Sequence, residues 1–183
     1  MSSFLGKSNL SRGLRNNNPG NLVYTSSAWV GKIPYLTNTD QNKHFEQFTE
    51  VKFGIRAMLI DILGDIGKGK DTIKKLISEY APPNENNTAL YVQKVAKAVG
   101  LLPDQKIYQV DVLFMMQIAR AIINHENGKD GLLITDSDIL DAIDILERDN
   151  INGIKIDSKK TFRFNVIIVP VLLFLYTVFT VTV

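Results

Sequence analysis

A chain of 183 residues, 45% hydrophobic and 22% charged, carries enough apolar material for one compact core and is too short for a large multidomain machine. Its formal net charge of +2 is too weak to mark a nucleic-acid partner, and the lack of cysteine removes disulfides, thiol nucleophiles and thiolate metal sites. The two histidines, His44 and His125, cannot build a zinc site on their own, so neither a metal nor another cofactor is expected.

The opening MSSFLGKSNLSRGLR has no continuous apolar stretch, so no secretory leader is expected. From Arg12 to about Thr39 the chain is rich in Asn, Gly, Ser and Thr without a helical period, which predicts turns, short strands and a hairpin. Helical spacing starts near Gly54. Ile55, Leu59, Ile62, Leu63 and Ile66 recur at intervals of three and four up to the Gly67-Lys68-Gly69 breaker. A second helix follows, capped by Asp71 or Thr72, with Ile73, Leu76, Ile77 and Tyr80 on one face and Pro82-Pro83 as its stop. Lys68, Lys70, Lys74 and Lys75 read as a solvated face. The third helix runs from about Thr88 to Val99, where Gly100 suits a left-handed cap.

A longer helix is predicted over Gln109 to about Glu126, with Val112, Leu113, Met116, Ala119, Ile122 and Ile123 inward and Asn127-Gly128 ending it. The last helix of the domain spans about Ser137 to Arg148, capped by Asp136 or Ser137. Residues 151–161 then read as a linker. Beyond them the run VIIVPVLLFLYTVFTVTV, positions 166–183, holds no charged side chain, and as a helix it is roughly 27 Å long, close to the hydrocarbon thickness of a bilayer. With Lys159, Lys160 and Arg163 as interfacial anchors, residues 162–183 are expected to form a transmembrane anchor; a buried helix or strand is the alternative.

Among the carboxyl groups Glu126 stands apart. It closes the apolar run AIINHE just before Asn-Gly, at the end of a buried helix, beside unpaired carbonyls and the negative end of the dipole. Both disfavour the ionised form, which suits a general acid; a solvent-exposed Glu at a frayed helix end is the other reading. His125 reads as a packing residue rather than a base. In RGLRNNNPGNL, positions 12–22, the amides of Asn16, Asn17, Asn18 and Asn21 offer donors and acceptors to a polar ligand such as a sugar. Trp29 and the phenylalanines of HFEQF could offer flat faces to pyranose rings, and Trp29 could equally be a hairpin or core aromatic.

These motifs carry a resemblance. RGLRNNNPGNL, Trp29-Val30-Gly31, FEQF with FGIRAM, TIKKLISEYAPPNENNTALYVQKVA and AIINHENG, in that order, resemble the lysozyme-like lytic enzymes of bacteriophages, notably virion-associated murein-degrading proteins of membrane-containing phages. The resemblance covers roughly positions 12–145. It implies a mainly α (α+β) lysozyme-like domain with a small β-hairpin lobe over residues 1–150, joined to the C-terminal transmembrane helix. It also implies cleavage of the peptidoglycan glycan strand by a virion, with peptidoglycan, the virion membrane and neighbouring membrane or capsid proteins as partners. AIINHENG is similar to the helix-ending context of the catalytic Glu in lytic transglycosylases and bacterial glucosaminidases, which assigns the acid to Glu126. In those glucosaminidases an NNLFGI-like segment and a W-x-G follow the acid, whereas here they precede it. A circular permutation of the same parts would bring Glu126 beside the Asn16–Leu22 loop. Motif position further assigns glycan binding to the Asn loop, Trp29, Tyr80 and Asn127. For hydrolysis a second carboxylate is needed, with Asp40 and Glu46 as candidates, whereas transglycosylation needs only one. One strong acid and two weak partners favour the transglycosylase. A hydrolytic muramidase or glucosaminidase, or a non-catalytic membrane-anchored virion protein, remains the alternative.

Overall fold

The computed structural model describes residues 2–82 and 87–148. Among these residues six α-helices form the body: α1 (Arg12–Arg15), α2 (Val51–Gly67), α3 (Ile73–Tyr80), α4 (Thr88–Val99), α5 (Val112–Asn127) and α6 (Asp136–Arg148). Short 3-10 turns lie at Tyr35–Thr37, Gln41–Lys43 and Gly128–Leu133.

The starts of the helices follow from local chemistry. Side-chain oxygens of Thr72, Asn87 and Asp111 accept the free N–H groups of Lys75, Leu90 and Phe114, so each first turn is capped. The fifth helix therefore begins at Val112 rather than at Gln109. Thr135 caps α6, its hydroxyl accepting the Asp138 N–H while the Asp138 carboxylate accepts the Thr135 N–H and O–H in return. At the other end of α4, Gly100 takes φ of 70°, the left-handed conformation that lets the chain turn away.

α5 is the centre of the core. Its Met115, Ile118, Ala119, Ile122 and Ile123 are buried, and it packs against α2, α4 and α6 as well as the short α1. α2 lies along α6 and presents Ile55, Met58, Leu59, Ile62 and Leu63 to the same core. α5 buries one apolar stripe and α2 is buried nearly all round between Gly54 and Leu59, and burial of a large aliphatic side chain stabilises by about 1.5–3 kcal/mol, so these apolar residues drive the assembly.

Two expectations are corrected. The described residues form a mainly helical domain with no strand outside isolated bridges, so the β-hairpin lobe of the α+β lysozyme-like expectation is absent from them. Between Leu22 and Phe48 only the antiparallel bridges Val23–Phe45 and Lys32–Phe48 form. The reason is competition from side chains. Asn18 Nδ2 donates to the carbonyl of Glu46 and Asn38 Nδ2 to that of Phe45, so these backbone acceptors are met by amides instead of a neighbouring strand, while the Leu22 carbonyl is shared between Asn18 Nδ2 and the Glu46 N–H. Asn42 and Lys43, with φ of 58° and 51°, then bend the chain out of extended geometry. As for the transmembrane helix, no helix among the described residues is long and apolar enough to cross a membrane, and the segment 162–183, like the linker 151–161, lies outside them.

Candidate active site

The Asn-rich loop is built from its own amides. Asn16, Asn17 and Asn18 are buried. Asn16 donates to Asp40 at 2.7 Å and accepts from Gln47; Asn17 donates to the carbonyls of Phe48 and Thr49 and accepts the Phe4 N–H at 2.7 Å; Asn18 accepts the Leu22 N–H. All three therefore hold the loop together and none is left to meet a sugar. Asn17 and Asn21 adopt φ of 50° and 51°, a conformation asparagine tolerates better than most residues. The loop presses so closely on α2 that a Cβ at Gly54 would collide with the Asn17 carbonyl oxygen.

This packing brings the loop to the end of α5. Asn127 Nδ2 donates to the Pro19 carbonyl at 2.7 Å and to Ile123, while its Oδ1 accepts the Ser11 hydroxyl at 2.8 Å. Asn127 is thus a buried tie between helix and loop rather than a glycan ligand. Its neighbour Glu126 is half-buried and turns the other way. Glu126 Oε2 accepts Asn21 Nδ2 at 2.9 Å, and Oε1 accepts the Tyr91 hydroxyl at 3.1 Å. Asn21, Tyr91 and Glu126, distant in sequence, meet at one carboxyl group.

That group opens into a polar groove with a volume of 660 Å³, lined by Asn21, Leu22, Phe45, Asp61, Tyr80 and Glu126 among others. Tyr80 donates its hydroxyl to the Gly20 carbonyl. Burial, followed by the nearby Glu126 charge, pushes the Tyr80 and Tyr91 phenols above the ordinary tyrosine value, so both remain proton-bearing donors across the neutral range. His125 stacks on Tyr91 with ring centroids 3.5 Å apart and an angle of 14°. Its pKa lies below the usual histidine value because burial disfavours the cation and Lys94 adds to that effect, against an opposing pull from Glu126.

The other residues singled out from the sequence lie elsewhere. Asp40 is clamped by Arg12, whose Nε and Nη2 donate to its two oxygens at 2.8 Å, with further bonds from Asn16 and the Phe45 N–H. Burial alone would raise its pKa, but these donors outweigh burial and hold it at about 2. Glu46 is fully buried, with Oε1 accepting from Lys32 at 2.9 Å and from both the N–H and the hydroxyl of Thr25. Neither carboxylate lines the groove, so neither supplies the second acid sought there. Trp29 sits half-buried at a turn closed by Lys32 N–H to its carbonyl, also away from the groove.

The groove contains three carboxylates that the sequence pattern did not single out: Asp61, Asp65 and Glu79. Asp61 had a visible signal, a charge inside the apolar run Met-Leu-Ile-Asp-Ile-Leu of α2. Among the described residues no cluster of acidic and histidine side chains is arranged to hold a metal ion.

No family model matches the sequence. Protein P5 of Pseudoalteromonas phage PM2 is similar to it, 35% identical over 121 residues that make up 64% of this chain and 71% of that protein.

Proposed function

We propose a function from a fixed premise: the chain belongs to the family of Protein P5 of Pseudoalteromonas phage PM2. A phage must breach the wall of its host. The reading best supported by the groove is a virion-associated enzyme that cuts the glycan strand of peptidoglycan between its N-acetylmuramoyl and N-acetylglucosaminyl sugars. The observation that carries it is Glu126, placed at the end of a buried helix, gripped on both oxygens and open to a polar groove.

In this mechanism Glu126 delivers its proton to the glycosidic oxygen as the C–O bond breaks. A general acid in hydrogen-bond reach of its target accelerates such a step by about 10²–10⁴. Asn21 and Tyr91 fix the direction of the carboxyl group, so the proton is presented without a search over side-chain rotamers. When the proton has left, both donors remain on the resulting carboxylate and stabilise it. Asn21, Phe45 and Tyr80 line the path of the sugar chain. With Asp40 and Glu46 outside the groove, the glycosyl carbon is left to whichever nucleophile reaches it, the substrate's own 6-hydroxyl or water.

The test is release of soluble fragments from purified sacculi by the wild-type chain and by Glu126→Gln, which keeps the shape and loses the proton. The variant is expected to bind sacculi normally and to cleave about 10²–10⁴-fold more slowly. Equal rates would remove Glu126 from the chemistry.

A further inference from the structure

The groove holds four carboxyl groups, and three are engaged. Asp65 faces Lys70 at 3.3 Å and Lys68 at 3.5 Å, Glu79 faces Lys70 at 2.9 Å, and Glu126 is held by Asn21 and Tyr91. Asp61 alone of the four has neither hydrogen bond nor ion pair among the described residues. It sits half-buried on α2, flanked by Ile60 and the buried Ile62. Partial burial of an unpaired carboxylate costs stability, and nothing in the packing of α2 requires it. The cost buys a free oxygen acceptor facing the same space as Glu126.

Two further features bear on its use. Burial, reinforced by the charge of Asp65 one helical turn away and opposed by Lys68 and Lys70, raises the Asp61 pKa above the ordinary aspartate value, which makes it a stronger proton acceptor than an exposed aspartate. Tyr80 lies in the electrostatic field of both Asp61 and Glu126, and its hydroxyl is committed to the Gly20 carbonyl. It therefore lies near both acids and neutralises neither.

Resting on the reading of Glu126 as the acid, we propose that Asp61 is the base that activates water in the groove, so that the glycan strand is hydrolysed rather than cyclised. The Asp61 carboxylate takes a proton from a water molecule while the water oxygen bonds to the anomeric carbon. The anomeric C–O bond breaks, and the Glu126 proton goes to the departing sugar oxygen. The products are one new reducing sugar and one new hydroxyl group; Asp61 ends protonated and Glu126 ionised, and exchange with solvent resets both. This departs from the one-carboxyl transglycosylase route, in which the product is a 1,6-anhydro sugar and no water is consumed.

The full chain is incubated with sacculi in H₂¹⁸O and the muropeptides are analysed by mass spectrometry, alongside the rate for Asp61→Asn. Reducing ends carrying one ¹⁸O fixed during cleavage, with kcat about 10²-fold or more lower in the variant and sacculus binding unchanged, are expected. Because reducing ends exchange slowly with water, pre-cut fragments in the same medium set the baseline. Anhydro-muropeptides from the wild type, or an Asp61→Asn rate within about threefold of wild type, would overturn the role of Asp61 and leave that of Glu126 standing. Failure of the wild type to cut any glycan bond would overturn the glycan-cleaving reading itself, and Asp61 with it.

Discussion

Two aspartates show how the same side chain takes opposite electrostatic roles. Asp40, clamped by Arg12 and two further donors, has its folded-state pKa held at about 2, below the roughly 3.9 of an unfolded chain. Its contribution is therefore present above pH about 4 and lost as pH falls toward 2, and the difference corresponds to roughly 2 kcal/mol. Urea midpoints for Asp40→Asn should fall relative to wild type at pH 7 and converge with it near pH 2. Asp61 carries the reverse sign. Its pKa is raised by burial and by Asp65, so the folded state holds the proton more tightly than the unfolded one, and the side chain destabilises the fold once pH rises past the unfolded value. Asp61→Asn is thus expected to unfold at higher urea than wild type at pH 7, with the gain vanishing near pH 3. A groove residue whose removal stabilises the protein while slowing its chemistry would fit the usual trade between stability and activity.

At the level of elements, the helices were legible because each pairs an apolar stripe with a local stop or start signal. Thr72, Gly100 and Asn127 mark boundaries in the sequence and mark them again in the structure. The stretch from Leu22 to Phe48 was not legible. Its turn residues suggest a hairpin, yet whether a backbone carbonyl meets a strand or an asparagine amide depends on partners far along the chain, such as Asn18 with Glu46. The same limit applies to the site. The position of Glu126 at a helix end is a local property and could be read, whereas the burial of Asn16, Asn17 and Asn18 comes from α2 and from the segment after Phe45 and could not. Asp61 went unread because an acid within an apolar helix stripe gives no sign of which groove it faces. The seam between α2 and the loop has one testable weak point. Gly54→Ala places a methyl group against the Asn17 carbonyl, and about 1–3 kcal/mol of stability should be lost, measured as a lower urea midpoint. On the proposed glycan-cleaving function, cleavage of sacculi should fall as well, since the displaced loop carries Asn21.

For the molecule as a whole, the site depends on the core because Glu126 belongs to the helix around which the others pack. Amides of Ile118, Ile122 and Ile123 on α5 are expected to exchange with deuterium only through global unfolding, whereas those of Gly69 and the turn at Gln41–Lys43 should exchange orders of magnitude faster. Protection at α5 close to that of solvent-exposed turns would show that the end of the helix opens independently. The order of the parts along the chain has a consequence for manufacture. A ribosome that has reached Val99 has already made the asparagine loop, Asp61 and both tyrosines, yet not the Glu126 carboxyl to which the proton transfer is assigned. On the chemistry proposed above, the nascent polypeptide is inert until translation passes position 126 and the late helix slots between segments made long before it. An infected cell could then accumulate the half-made protein without damage to its own envelope.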